Sequence, residues 1–242
     1  MIVAPQFHFP PDLESDEPPL ETPRHLEQLI LLLTCLQWWW RDRQDYFASG
    51  NISIYYTPEQ LTGKYKFRAP DFFVVLDTAQ QERSSWIVER EGGKFPNVII
   101  EVLSRSTAKV DQTTKKQLYQ DTFLTPEYFW YDPRPTKREL KGFRLIDRKY
   151  QEIQPDNRGY LWSEQLQLYL GIAGEYARYF TAQGEVVPNF QEATAQRDWQ
   201  LRLEKQRAER EADRATQAEQ RILDLEAKLR ALGVDPDLPP NA

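Results

Sequence analysis

The sequence has one cysteine among its 242 residues and lacks a membrane-length apolar run. A single cysteine excludes a disulfide within the chain, and Cys35 lies in an apolar stretch, which is typical of a buried free thiol. No basic leader followed by an apolar run begins at Met1, and the longest apolar stretch ends at Arg41, too early to span a bilayer. These absences predict a cytoplasmic protein that does not associate with membranes.

The sequence also lacks an overall excess of positive charge, since its formal net charge is −6. This balance argues against a protein that simply coats nucleic acid, because such proteins usually have a basic surface. The charge is uneven along the chain. Residues 1–50 have three basic and eight acidic side chains, whereas residues 101–150 have eleven basic and seven acidic.

What is present is ample apolar material: 40% apolar residues and 13% aromatic residues, enough for one domain with an appendage. We predict an acidic, proline-rich arm at 1–21 and a globular domain at 22–190. A charged helix at 194–232 and a short tail at 233–242 would follow.

The apolar spacing predicts a helix that starts after Thr22, with Pro23 in its first turn, and ends near Asp45. Strands are predicted at 51–56, 72–76, 86–88, 98–103, 128–131, 143–146, 150–153 and 166–170. Residues 107–123 lack proline and glycine and predict a second helix, with Val110, Leu118 and Tyr119 as its apolar stripe. This order of elements is typical of an α/β domain with a mixed central sheet flanked by helices.

The C-terminal segment has apolar residues in alternating steps of three and four, which is typical of a coiled coil. The pattern is continuous only from Ala215 to Leu232, because Glu204 and Glu211 occupy one of the two core rows further upstream. The segment 201–232 could therefore pair with a second copy or another helical partner, or remain a single charged helix with i,i+4 ion pairs.

Two acidic residues stand out against apolar strands. Asp71 precedes the apolar run 72–76, and Glu101 lies within the apolar run 98–103, where an ionised side chain is costly to bury alone. Two carboxylates on adjacent strands can bind Mg²⁺. Taken singly, Asp71 is better explained as a turn residue, whereas a structural ion pair and a functional site explain Glu101 about equally well. Lys115 lies one helical turn after Asp111 and could polarise an attacking water. Taken singly, an ordinary i,i+4 ion pair with Asp111 is the better explanation of that spacing.

Four short motifs occur in order along the chain. They are Ala69-Pro70-Asp71 with the following strand, Pro96 to Ser104 around Glu101, Asp111 through Lys115 to Tyr119, and Glu127 to Pro133. Together they resemble the Uma-type restriction endonuclease family, a branch of the PD-(D/E)XK nuclease superfamily. The resemblance spans roughly residues 22–188.

The resemblance implies a restriction endonuclease-like core and a metal-dependent endonuclease that hydrolyses phosphodiester bonds, with DNA as the expected substrate. Asp71 and Glu101 would be the metal-binding carboxylates, with Mg²⁺ or Mn²⁺ as the cofactor, and Lys115 would be the catalytic lysine. Asp111, His25 and Glu21 would support them. Leu103 stands where the superfamily usually has lysine, so the lysine would come from the following helix, with Lys116 as the rival to Lys115.

A second hypothesis is a non-catalytic binding or adaptor protein that retains the nuclease fold. It would associate through its C-terminal helix, and the acidic cluster would only stabilise the core. The acidic net charge and the displaced lysine favour this alternative.

Overall fold

The computed structural model describes residues 8–10, 13–17, 20, 22–62 and 69–233. Helix α1 spans Pro23–Trp39. As predicted, Thr22 is its N-cap, accepting a hydrogen bond from the His25 N–H, and Pro23 occupies the first turn. The predicted end near Asp45 is wrong, because Trp40 already leaves the helical conformation and a strand begins at Tyr46.

The central element is a six-stranded sheet with the strand order β1 (Tyr46–Gly50), β3 (Phe72–Leu76), β5 (Val98–Val102), β6 (Glu127–Asp132), β7 (Glu139–Ile146) and β8 (Lys149–Glu152). Strands β5 and β6 are parallel, and the other four neighbouring pairs are antiparallel. The predicted mixed sheet is therefore confirmed.

Two smaller sheets accompany the central one. A parallel pair joins β2 (Ile54–Tyr55) to β4 (Trp86–Ile87), and β9 (Leu161–Ser163), β10 (Leu168–Ala173) and β11 (Tyr176–Phe180) form an antiparallel sheet. The predicted strand 51–56 is wrong over most of its length. Asn51 has a left-handed φ of 54°, which breaks the extended run between β1 and β2.

Both faces of the central sheet are covered. In β3, Phe72 and Val74 pack on the side of α1, while Phe73 and Val75 pack on the opposite side together with Tyr119. This alternation follows the two-residue period of a strand. Burial on both faces explains why the central strands are continuous apolar runs, and it confirms the α/β fold with helices flanking a mixed sheet.

A helical segment, residues 108–123, connects the parallel strands β5 and β6. It alternates the short α-helices α2 (Ala108–Val110) and α3 (Lys116–Leu118) with π turns (Asp111–Lys115 and Tyr119–Phe123). The predicted helix is present. Of its predicted apolar stripe, Tyr119 is buried and Leu118 packs against the core, but Val110 is exposed, so that part of the prediction is wrong. The buried residues of the segment are Asp111, Lys115, Tyr119 and Phe123.

The described residues of the N-terminal arm lie against the β2/β4 pair. Phe9 is buried against Tyr55 and Ile87, the Tyr55 hydroxyl donates to the Glu14 carbonyl at 2.9 Å, and the Ser85 hydroxyl donates to the Leu13 carbonyl at 2.7 Å. These contacts fix that part of an acidic, proline-rich stretch.

The chain divides into two compact units, Met1–Phe190 and Gln191–Ala242. The second unit holds nearly all of α4, a helix of 42 residues at Phe190–Ala231 that starts four residues before the predicted Thr194. Gly233, with a φ of 77°, follows its end as predicted. Within the described ranges, we find no helix with the length and apolar content needed to cross a bilayer.

Candidate active site

Asp71 and Glu101 lie side by side on neighbouring antiparallel strands. Phe72 of β3 faces Ile100 of β5, so Asp71, just before β3, comes next to Glu101. The backbone N–H of Asp71 donates to Glu101 Oε2 at 3.1 Å, and the N–H of Val102 donates to Asp71 Oδ2 at 2.7 Å. Each carboxylate thus accepts a hydrogen bond from the other residue's strand, which fixes both at one point of the sheet.

Lys115 brings a third side chain to the same point. Its ammonium nitrogen lies 3.0 Å from Glu101 Oε1 and 3.2 Å from Asp111 Oδ1, and it donates to the Ala69 carbonyl at 3.1 Å. Lys116 lies elsewhere, with its ammonium 3.3 Å from the centre of the Phe143 ring. Of the two candidate lysines, Lys115 is therefore the one that faces the carboxylates.

The winding of the helical segment explains how it presents this face. Asp111, Lys115, Tyr119 and Phe123 are spaced by four, and in a regular α-helix each step of four advances about 40° past a full turn. The π turns widen the helix and reduce that drift, so all four side chains stay on the buried side. Asp111 and Lys115 consequently project toward β3 and β5 instead of toward solvent.

Tyr119 belongs to the cluster, although its place in the sequence predicted only an apolar residue of the helix at the end of the third motif. Its hydroxyl donates to Glu101 Oε1 at 2.6 Å, and its side chain is fully buried. The Tyr128 hydroxyl donates to the main-chain carbonyl of Asp111 at 2.9 Å and so anchors the helical segment to β6. The sequence signal for Tyr119 was its spacing of four from Lys115 and eight from Asp111.

His25 lies beside the cluster, at the start of α1. Its Nε2 is 3.1 Å from Asp71 Oδ2, and the residue is buried. This position agrees with its expected place near the two carboxylates. Glu21, the other predicted supporting residue, lies outside the described residues.

The sequence model of the Uma2 family, described as "Putative restriction endonuclease", matches residues 14–183 of the chain. The chain belongs to the Uma2 family. Its match covers every described member of the cluster, from His25 to Tyr119. The restriction endonuclease-like core expected from the four motifs agrees with this membership.

A comparison with curated proteins found no match for this Uma2 protein. Among solved structures, it is similar to a protein from Anabaena variabilis described as a putative nuclease belonging to DUF820. The identity is 13% and the TM-score is 0.42, over 62% of this chain and 76% of the other. This similarity is too low to support a conclusion about the site.

Burial and neighbouring charges raise the pKa of some residues in this cluster and lower the pKa of others. Burial raises the pKa of Glu101 well above its ordinary value, against the opposing effect of the Lys115 ammonium. Burial also raises the pKa of Asp111. Asp71 is likewise penalised by burial, but the His25 imidazole, the Lys115 ammonium and the Val102 N–H outweigh that penalty and lower its pKa. The three surrounding carboxylates, Glu101 first, raise the pKa of Lys115 although burial lowers it.

These residues fit a divalent cation bound through two carboxylates. The described residues contain no preformed group of three His, Cys, Asp or Glu side chains for a metal. However, Mg²⁺ commonly uses only one or two carboxylates and keeps several waters. The carboxylates of Asp71, Glu101 and Asp111 surround the Lys115 ammonium. If all are ionised, the cluster has uncompensated negative charge that a divalent ion would neutralise.

Proposed function

We propose that this protein is a Mg²⁺-dependent endonuclease that hydrolyses phosphodiester bonds in DNA. The proposal rests on one observation: the Asp71 and Glu101 carboxylates and the Lys115 ammonium lie together at one end of strands β3 and β5. Three separate structural elements contribute these groups, namely two neighbouring strands and the helical segment. Membership of a nuclease family supports the same reaction class.

In this proposal Asp71 and Glu101 hold the metal, with Mn²⁺ able to replace Mg²⁺. A bound divalent ion supplies a hydroxide near neutral pH and stabilises the charge that develops on the phosphate oxygens. Lys115 places a fixed positive charge beside Glu101, where it can stabilise a negatively charged transition state. Asp111 and the Ala69 carbonyl hold the ammonium in place, so it needs little reorganisation during the reaction.

The preference for DNA rests on charge and on the family description. Eleven basic residues lie within 101–150, and Arg105 and Lys109 are exposed on the stretch that follows Glu101 along the chain. Exposed cations near a phosphodiesterase site attract the nucleic-acid backbone, with an affinity that falls as salt rises. The family is described as one of restriction endonucleases.

The test is nicking of supercoiled plasmid by purified protein with and without Mg²⁺. We expect cleavage only with the metal and a loss of at least about a thousandfold in Asp71→Asn and Glu101→Gln, since each removes a metal-binding charge. Glu127→Gln is the matched control. Glu127 is also a buried carboxylate on a central strand, but it is bound by Arg144 at 3.2 Å and by the Glu164 N–H at 2.8 Å.

The control should retain metal-dependent cleavage per folded molecule. Cleavage that persists in both site variants, or that proceeds equally well in a metal chelator, would contradict the proposal. Circular dichroism of each variant excludes unfolding as the cause of a loss.

A non-catalytic adaptor is the second candidate, and one observation favours it. Both oxygens of Glu101 already have protein partners, because Lys115 and Tyr119 contact Oε1 and the Asp71 N–H contacts Oε2. Such saturation is typical of a structural network. Calorimetric titration with Mn²⁺ separates the two functions: the nuclease predicts binding that Asp71→Asn removes, whereas the adaptor predicts no specific binding.

A further inference from the structure

The C-terminal half of α4 has an apolar stripe that is exposed to solvent. Ile222 and Leu225 are 55% and 51% exposed, and Leu229 and Leu232 are 38% and 79% exposed. Numbered as a heptad, Ala215, Ile222 and Leu229 occupy position a, and Ala218, Leu225 and Leu232 occupy position d. We call residues 215–232 the seam. Its a and d residues form one continuous side of the helix.

The charges beside the seam identify its partner. With the same numbering, the g positions hold Arg214, Arg221 and Lys228, and the e positions hold Glu219 and Glu226. Every g residue is therefore basic and every e residue within the seam is acidic. Charges at e and g set both the partner and the relative direction of two helices in a coiled coil.

This arrangement suits a parallel pair of identical helices. In a parallel pair, each g residue faces the e residue of the partner's next heptad, which matches Arg214 with Glu219 and Arg221 with Glu226. In an antiparallel pair, g faces g and e faces e, so the basic residues would oppose one another and the acidic residues likewise. We propose that the seam binds the seam of a second copy of this chain in a parallel, two-stranded coiled coil.

The residues at positions a and d favour a pair of helices, and they also limit the length of the contact. Ile at position a with Leu at position d favours a dimer, and Ile222 with Leu225 has this pattern. Upstream, Glu204 and Glu211 occupy d positions, where a parallel pair would bring identical charges together. The contact is therefore confined to the seam, about two and a half heptads long, and the dimer should dissociate at low concentration.

The first experiment is sedimentation equilibrium of the full chain over a concentration series. We expect a reversible dimer that Ile222→Glu abolishes. Leu223→Glu is the matched control, because Leu223 is 58% exposed but lies at position b, outside the seam. It should leave the dimer intact. A chain that stays monomeric throughout, a dimer that survives Ile222→Glu, or a dimer that Leu223→Glu also removes would each overturn the proposal.

The second experiment tests the direction of the helices by charge exchange. Arg221→Glu and Glu226→Arg should each raise the dimer Kd at least about tenfold, because each opposes like charges across the pair. The double variant exchanges both charges and should restore the original Kd to within about twofold. Failure of the double variant to recover would overturn the parallel arrangement.

A covalent test gives an independent result. In a parallel pair Ala215 faces its own counterpart, whereas in an antiparallel pair of seams the two copies would lie about 26 Å apart. Ala215→Cys should therefore form a disulfide-linked dimer on mild oxidation. The native Cys35 is buried and should not form one in the unchanged chain. An Ala215→Cys protein that dimerises but does not form the disulfide would contradict the parallel direction.

Discussion

Replacing Lys115 by methionine should destabilise the fold far more than the same change at its neighbour Lys116. The Lys115 ammonium is buried and lies within 3.2 Å of both Glu101 and Asp111. Methionine keeps the aliphatic stem but leaves two buried carboxylates without their cation. Breaking a buried ion pair by removing one partner costs about 3–5 kcal/mol, and for a domain of this size that lowers Tm by roughly 6–20 °C.

Lys116→Met provides the matched control. Lys116 contacts the Phe143 ring and no carboxylate of the cluster, so its loss should cost about 0.5–2 kcal/mol. Denaturant unfolding followed by tryptophan fluorescence measures both costs, because Trp86 and Trp130 are buried in the same domain. Equal costs for the two variants, or a cost below about 1 kcal/mol for Lys115→Met, would refute the assignment of Lys115 to the buried cluster.

The loss of unfolding free energy caused by Lys115→Met should depend on pH in a defined direction. The ammonium lowers the pKa of Glu101, so its removal raises that pKa further above the ordinary 4.5. Between 4.5 and the raised pKa the folded variant binds more protons than the unfolded chain, so its stability increases as pH falls from neutral. The difference between variant and unchanged protein should therefore shrink toward pH 5. If the stability difference between the variant and the unchanged protein grows on acidification, the ammonium does not lower the pKa of Glu101 as stated.

Two further predictions concern the same cluster, and one concerns the packing of β1. Tyr119→Phe removes the hydroxyl that donates to Glu101 and should cost about 1–3 kcal/mol in denaturant unfolding. It should also reduce cleavage activity; unchanged cleavage would show that Tyr119 has only a structural role. Gly50→Ala should cost about 1–3 kcal/mol, because the added carbon would lie 2.7 Å from the Asp71 carbonyl and 2.6 Å from Leu29 Cδ2; an unchanged Tm would show that β1 does not pack this closely. A divalent metal at a hundred times its Kd should stabilise the protein by about 2.7 kcal/mol in a thermal shift assay, and Asp71→Asn should lose this effect; equal stabilisation of both proteins would place the metal elsewhere.

The sequence predicted those parts of the fold where a single strong signal dominates. β3, β5 and β6 are continuous apolar runs because both faces of the sheet are covered, so burial alone makes them recognisable. β1 was missed because Tyr46–Gly50 contains alanine, serine and glycine and has no long apolar run. Gly50 is required there by the close approach of Leu29 and the Asp71 backbone, a tertiary constraint that local propensity does not reveal.

The site was predictable as a set of residues but not as a geometry. The sequence indicated Asp71, Glu101 and Lys115, and the structure brings all three together. The π turns could not be inferred from a 3.6-residue period. Val110 was therefore wrongly placed on the buried side with Leu118 and Tyr119, and the contact of Tyr119 with Glu101 was missed. The roles of these residues in metal binding and cleavage stay predictions.

A crystal grown with Mn²⁺ and measured for anomalous scattering tests the central proposal most directly. We predict one strong anomalous peak within about 2.3 Å of oxygens from both Asp71 and Glu101, and its loss in Asp71→Asn crystals under the same conditions. Crystals without a peak at these carboxylates, or with a peak that persists in the variant, would contradict a metal-dependent nuclease site at this position.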